Sequence, residues 1–376
     1  MHITLSSVLT TCVLGSLLIL MLSPILKRNA VINRIGPGCV KLLLLLMAIR
    51  MFFPVELKIT HSLYVQKLLP SVHDFFRCPI GYGSVTFPLY GILLLLWGAG
   101  SLISITEKVL LYYRTYRYIQ LMDAQNVEEL CIEQGLTERY PDMEQIRIVY
   151  ITGIQSPCLL GLYHPFVLLP ADQIYSQEQL SFILKHELMH YRKKDILWKV
   201  ITDVLCSIFW WNPAMSYLRR FLFQMIEVSN DMEITASMKK EEKISYMECL
   251  KDIAAGHTGK NQAFAVSFSR NNFRDLKQRM VLIAKGVSYR PGIAALVSAV
   301  SISLMLMISL VIFEPDTPPP DGIPLCTKNT YLIRNGEQYD VYVNGEGFLF
   351  TTDDTAPFRG VKIYDNIEEA KSNENE

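Results

Sequence analysis

The sequence has no cysteine pair at metal-ligand spacing. Its eight cysteines include no CxxC and are scattered from Cys12 to Cys326. That pattern excludes a disulfide scaffold and a cysteine-held zinc site, and leaves buried or lipid-facing thiols. Neither sign of charge is in excess, with 36 Lys and Arg against 36 Asp and Glu, so no global field argues for direct nucleic-acid binding. Histidine is scarce at seven, and any metal argument must rest on the residues around one or two of them. No internal repeat is long enough to suggest a solenoid.

Apolar residues are abundant, at 50% of the 376-residue chain, which is high for a soluble protein. A bilayer crossing takes about 20 residues. Four stretches qualify: 3–26, 40–57, 87–111 and 293–313, the second weakened by Lys41, Arg50 and Glu56. The first could pass for a signal peptide, but its basic residues Lys27 and Arg28 follow it, so a retained span is the expectation. Loop charges set the orientation. Lys27, Arg28, Arg34, Lys108, Arg114, Arg117, Lys285 and Arg290 flank the spans on one side, and Glu314, Asp316 and Asp321 follow the fourth on the other. The expectation is a multi-pass α-helical protein of the cell membrane, with its N-terminus outside. Three spans fall in 1–112, a cytoplasmic α+β domain in 113–290, a fourth span in 291–314, and an external Pro-rich linker with a β-meander in 315–376. The basic residues Lys58, Lys67 and Arg77 of the external 58–86 loop conflict mildly with this scheme.

Within 113–290, residues 145–151 alternate and are β-branched, and Phe166, Val167, Leu168 and Leu169 form a second apolar run closed by Pro170; both read as strands. Helices are expected over 176–193, 195–211, 213–238 and 274–284, with Asn212 capping and Pro213 opening the third. Residues 256–272 are polar and poor in helix signals, so they are expected to be extended and mobile. The tail alternates β-rich runs with Asn335-Gly336 and Asn344-Gly345, hence the meander.

The chemistry centres on His186-Glu187-Leu188-Met189-His190, an HExxH. On a helix, positions i and i+4 share a face, so both imidazoles can bind one zinc ion. Glu187 beside them can take a proton from an attacking water. Three fixed positions are a weak signal alone, but the surrounding apolar pattern of Leu180, Ile183, Leu184 and Leu188 makes the helix amphipathic. Glu227, about four turns along the helix opened by Pro213, is the best third ligand, and Asp231 lies one turn further on the same face. A carboxylate behind a ligand fixes a histidine tautomer.

These residues, with Gly161 and Pro165 before the LP-ended strand, Asp195 after the HExxH, and Asn212-Pro213, resemble the BlaR/MecR-type integral-membrane antirepressor metallopeptidases. The resemblance covers the four-span topology and most of 113–290. It implies a zincin-like, gluzincin-type endopeptidase with one zinc ion on His186, His190 and Glu227, Glu187 as general base, and Asp231 and Asp195 behind the ligands. It also implies a substrate that is a regulatory protein, such as a transcriptional repressor, or the chain's own cytoplasmic part. Residues 166–169 are expected to be an edge strand that takes the substrate, with plain core packing as the other reading. The tail departs from the sensor members, which carry a large penicillin-binding domain. Ser237-Met238-Lys239-Lys240 is an SxxK without SDN or KTG, so it reads as a helix end. Membrane lipid is an expected partner and a homodimer is left open. Arg274 and Arg279 are candidates to face the oxyanion, neither of them assigned. The rival readings are a CAAX-protease-like enzyme, a receptor-like scaffold with a structural zinc site, and a transporter.

Two further expectations concern particular segments. Self-cleavage is expected at Ser267–Phe268 or Ala263–Phe264. Cys78 and Cys326 are the two cysteines placed firmly outside, and a linker reaching about 35–40 Å would allow them to pair.

Overall fold

A computed structural model of the chain describes residues 5–52, 61–65, 72, 75–76, 79–82, 85–126, 130, 146–154, 156–255, 262–286, 288–315, 330–336, 338–343, 347–353, 355, 358 and 361–366. They fall into two compact units, one within 1–65 and 71–314, the other within 66–70 and 315–376. Cys78, Cys326 and the Asn344-Gly345 pair lie outside the described residues.

Among the described residues, three helices are long and apolar enough to cross a membrane: α1 (Leu5–Leu26), α4 (Leu89–Gln120) and α10 (Pro291–Ser309). The expected second span takes another form. Helices α2 (Asn29–Ile35) and α3 (Pro37–Phe52) meet at a bend of 102°. Gly36 ends α2 with φ +81°, a left-handed backbone that suits glycine, and Pro37 opens α3. At 1.5 Å per residue, the 16 residues of α3 reach only about 24 Å, against about 30 Å of hydrocarbon. The fourth span also ends early. Leu310 caps α10, and strand β8 (Val311–Pro315) follows where helix was expected to 313. Strand β1 (His61–Val65) of the loop before α4 pairs with β8, so the segments following the second and last apolar regions meet on one side. A second small ribbon pairs β2 (Pro79–Tyr82) with β3 (Val85–Pro88).

The central sheet runs β4 (Gln125–Asn126), β5 (Arg147–Ile151), β7 (Phe166–Pro170), β6 (Cys158–Leu160). Strand β7 is parallel to β5 and antiparallel to β6, with Leu159 opposite Val167. One face packs on α5 (Gln177–Arg192): Ile148, Val167 and Leu169 share a core with Ile183, Leu184 and Leu188. The other face, with Val149, Phe166 and Leu168, packs on Ile119 at the end of α4. A larger apolar core joins α1, α3 and α10 to α6 (Asp195–Ile208) and α7 (Pro213–Ile234). Helix α4 packs on α6, and its Gly100 lies against Trp210 in the turn after α6, where a Cβ would lie 2.6 Å from the ring.

The helix starts follow the sequence signals. Ser176 and Gln179 close a capping box on α5, and Asn212 caps α7 with Pro213 at its first position. Two ends come sooner than expected, α6 at Ile208 and α7 at Ile234. Ser237 lies in the turn before α8 (Lys240–Ala255), a helix absent from the sequence reading. Residues 262–272, expected to be extended, instead begin α9 (Gln262–Lys285). No glycine or proline interrupts that stretch, so helix can propagate back from the packed 274–285 segment. In the smaller unit, β9 (Thr330–Asn335), β10 (Gln338–Val343) and β11 (Gly347–Thr352) form the expected antiparallel meander. Strand β12 (Lys362–Tyr364) adds to it parallel to β9.

Candidate metal centre

Helix α5 buries its HExxH residues against α7. His186, Glu187 and His190 are all under 10% exposed, one turn of helix holding the two imidazoles edge to face with centroids 4.9 Å apart. Glu227 enters from α7 between them. Its Oε2 lies 3.1 Å from His186 Nε2 and its Oε1 lies 3.4 Å from His190 Nε2. One ligand atom from each of the three falls within 4.8 Å of the others.

The outer nitrogen of each imidazole is held from behind. His186 Nδ1 is 3.1 Å from the Tyr246 hydroxyl of α8 and 3.4 Å from Asp231 Oδ1. Tyr246 in turn donates to Asp231 Oδ1 at 2.8 Å. His190 Nδ1 is 2.9 Å from Asp195 Oδ2, which also accepts from the Asn230 amide at 2.8 Å. With protons on both Nδ1 atoms, both Nε2 atoms face Glu227 and would offer their lone pairs to a metal that displaces their protons, the usual arrangement of a metal-ligating histidine. The left-handed backbone of Lys194, φ +53°, turns the chain between α5 and α6 so that Asp195 returns to His190 only five residues on. Lys41 of α3 stands 3.7 Å from the other oxygen of Asp195, which accounts for a lysine in an apolar helix.

Two cations frame the carboxylates. Arg279 of α9 donates to Asp231 from Nε at 2.6 Å and from Nη2 at 2.9 Å, and its Nη1 is 3.8 Å from Glu227. Lys199 of α6 donates to Glu227 Oε1 at 3.3 Å and feels the charge of Glu187. Burial alone would lower the His186 pKa, but bonds to Asp231 and Glu227 outweigh it and lift it to about 10. His190 is raised in the same way, against burial, by Glu227 and Asp195. Burial would raise the Glu227 pKa, yet His190 and Lys199 hold it well below the usual carboxylate range. Asp231, also opposed by burial, is held at about 2 by Arg279. The centre therefore favours positive charge between its carboxylates.

The donor set fits zinc. Ligand atoms about 2.0–2.1 Å from a tetrahedral centre stand roughly 3.3 Å apart, close to the two Nε2–carboxylate separations. Two imidazoles and one carboxylate leave a fourth position, as in catalytic rather than structural sites. Glu187 makes no ion pair or hydrogen bond among the described residues, so its buried carboxylate is not engaged as a structural partner.

The structure brings His186, Glu187, His190, Glu227, Asp231 and Asp195 together. It does not place residues 166–169 at an edge. Phe166, Val167, Leu168 and Leu169 are buried, and β7 is bonded on both sides, to β5 and β6. A paired strand has no free row of backbone groups for a substrate. The edge toward α5 belongs to β6, three residues too short to stand out in sequence. Tyr246, Asn230 and Lys199 were also missed. Arg279 is engaged with Asp231 rather than free to face an oxyanion, and Arg274 is exposed.

The BlaR1 peptidase M56 family model matches residues 85–283. The regulatory protein BlaR1 of Bacillus licheniformis is 24% identical over 190 residues, 50% of this chain and 31% of that protein. The methicillin resistance mecR1 protein of Staphylococcus aureus is 24% identical over 164 residues, 42% of this chain and 27% of that protein. The chain thus spans about a third or less of the length of these relatives.

Proposed function

The chain belongs to the BlaR1 peptidase M56 family, and from that premise we propose that it is a membrane-embedded zinc endopeptidase with a regulatory role. The observation that carries this reading is the convergence of His186, His190 and Glu227, with both outer imidazole nitrogens held from behind. In this reading the three are the zinc ligands, and Asp231 and Asp195 orient the histidines. A zinc ion bound there supplies the Lewis acidity that makes water nucleophilic near neutral pH. Glu187 takes the proton of the attacking water and passes it to the leaving amine. Lys199 bonds Glu227 and feels the charge of Glu187, and we assign it to the developing oxyanion. The substrate adds as an extended strand to β6 beside α5.

The regulatory role rests on relatives such as the Bacillus regulatory protein. The substrate we infer is a cytoplasmic regulator or the chain itself. The basic residues at the span ends support a peptidase centre facing the cytoplasm and an external 315–376 segment. The test is zinc per chain and self-fragmentation of the full chain purified in detergent. Wild type is expected to hold one zinc, and His186→Ala and Glu227→Ala to lose it. Glu187→Ala should keep zinc and lose cleavage. Full zinc in Glu227→Ala would overturn the ligand assignment, and fragments from Glu187→Ala would overturn the mechanism.

A further inference from the structure

A cavity of about 330 Å³ opens between the turn after α1, helix α2 and the link from α9 to α10. Its polar lining is Asn29, Asn33, Arg34, Lys285, Ser288 and Arg290, with three cations and no carboxylate. The Arg34, Lys285 and Arg290 side chains make no ion pair or hydrogen bond among the described residues. The nearby acid Asp275 is occupied by Lys27 at 3.6 Å. Both amide oxygens are already engaged: Asn29 Oδ1 accepts from Gln278 at 2.6 Å and Asn33 Oδ1 from the Ser288 backbone at 3.0 Å. Each amide nitrogen is left to donate. The Arg290 backbone N–H, bonded to the Arg34 carbonyl at 2.8 Å, ties the two walls together. The result is a rim rich in donors and positive charge with no carboxylate to match it.

Its position says what would match it. Leu26 is the last residue of one apolar helix and Pro291 the first of another, so the cavity lies at a membrane boundary, where headgroups are. Guanidinium groups bind phosphate oxygens in pairs, and basic pockets between membrane helices take anionic headgroups. We propose that this cavity binds the phosphate headgroup of an anionic phospholipid. A free phosphate offers the same oxygens, but the acyl chains of a lipid would also lie along α1 and α10. This site stands apart from the peptidase reading and does not depend on it.

The test is native mass spectrometry of the full chain released from nanodiscs of phosphatidylglycerol mixed with phosphatidylcholine. One retained phosphatidylglycerol per chain is expected, at roughly a hundredfold preference from three basic residues. Arg34→Gln, Lys285→Gln and Arg290→Gln combined should abolish the preference. Arg114→Gln with Arg117→Gln, which removes two cations outside the cavity, should keep it. Equal loss in both variants, or no preference in wild type, would overturn the proposal. Displacement of the lipid by millimolar inorganic phosphate would assign the site to a free anion and also overturn it. The three side chains are exposed, so the triple variant should keep the wild-type melting temperature. If it does not, the single variants should each weaken retention in a stepwise manner, and the idea fails if none does.

Discussion

Asp231 shows how much one residue of this centre must satisfy. Its carboxylate is 1% exposed and meets a guanidinium, a phenol and an imidazole. Removing the guanidinium would leave a buried charge unpaired, which costs about 3–5 kcal/mol. Arg279→Met is therefore expected to lower the unfolding free energy by that amount, measured by denaturant titration in detergent micelles. A change below about 1 kcal/mol, the usual size for an exposed pair, would contradict the buried geometry. Lys199 answers to a different measurement. Lys199→Met should retain zinc and lower kcat by roughly 10²–10³, as loss of one oxyanion donor does, with little change in KM. A rise in KM alone, or loss of the metal, would remove it from that role. His186, Glu187 and His190 were legible because a helix turns their spacing into proximity. Tyr246 and Lys199 were not, because only the packing of α8 and α6 against α5 brings them in, and no local pattern records that packing.

Among the elements, starts were easier to read than neighbours. The capping box at Ser176 and the Asn212-Pro213 opening are local chemistry, and both appear as expected. Strand order is not local. The apolar run 166–169 reads equally well as an edge or a centre, and only β6, three residues long, decides it. The break at Gly36-Pro37 was present in the letters, yet the apolar run behind it suggested a plain span. The turn at Lys194 offers a test of how tightly α5 and α6 are joined. A non-glycine residue in left-handed backbone costs about 1–2 kcal/mol, so Lys194→Gly should raise the melting temperature or leave it unchanged. Lys194→Val should lower it and weaken zinc retention, since Asp195 would be displaced from His190. Equal melting temperatures for the two variants would show that the turn does not set that geometry.

For the whole molecule, the peptidase helices share one apolar core with α1, α3 and α10, so metal removal should be felt beyond the site. Ligand binding to the folded state alone adds stability, about 2.7 kcal/mol at 100 times the dissociation constant. A chelator is expected to lower the melting temperature of wild type and to leave His190→Ala unchanged. An equal shift in both would place the chelator's effect elsewhere. Helix α9 adds a dependence of another kind. Adjacent residues on it face two ways: Gln278 bonds the Lys27 carbonyl and Asn29 where α1 turns into α2, and Arg279 grips Asp231.

Order of synthesis gives that grip a meaning in time. The chain emerges from its amino end, so the HExxH helix and the Glu227 helix leave the ribosome well before Arg279. Until α9 arrives, Asp231 has no guanidinium, and the carboxylate behind His186 has to stay hydrated or protonated. A nascent peptidase is thus held unfinished until α9 has emerged. Released chains ending at residue 260 should take up zinc more weakly than released chains ending at 310. The centre would then be completed by α9, just before the last apolar helix follows it out.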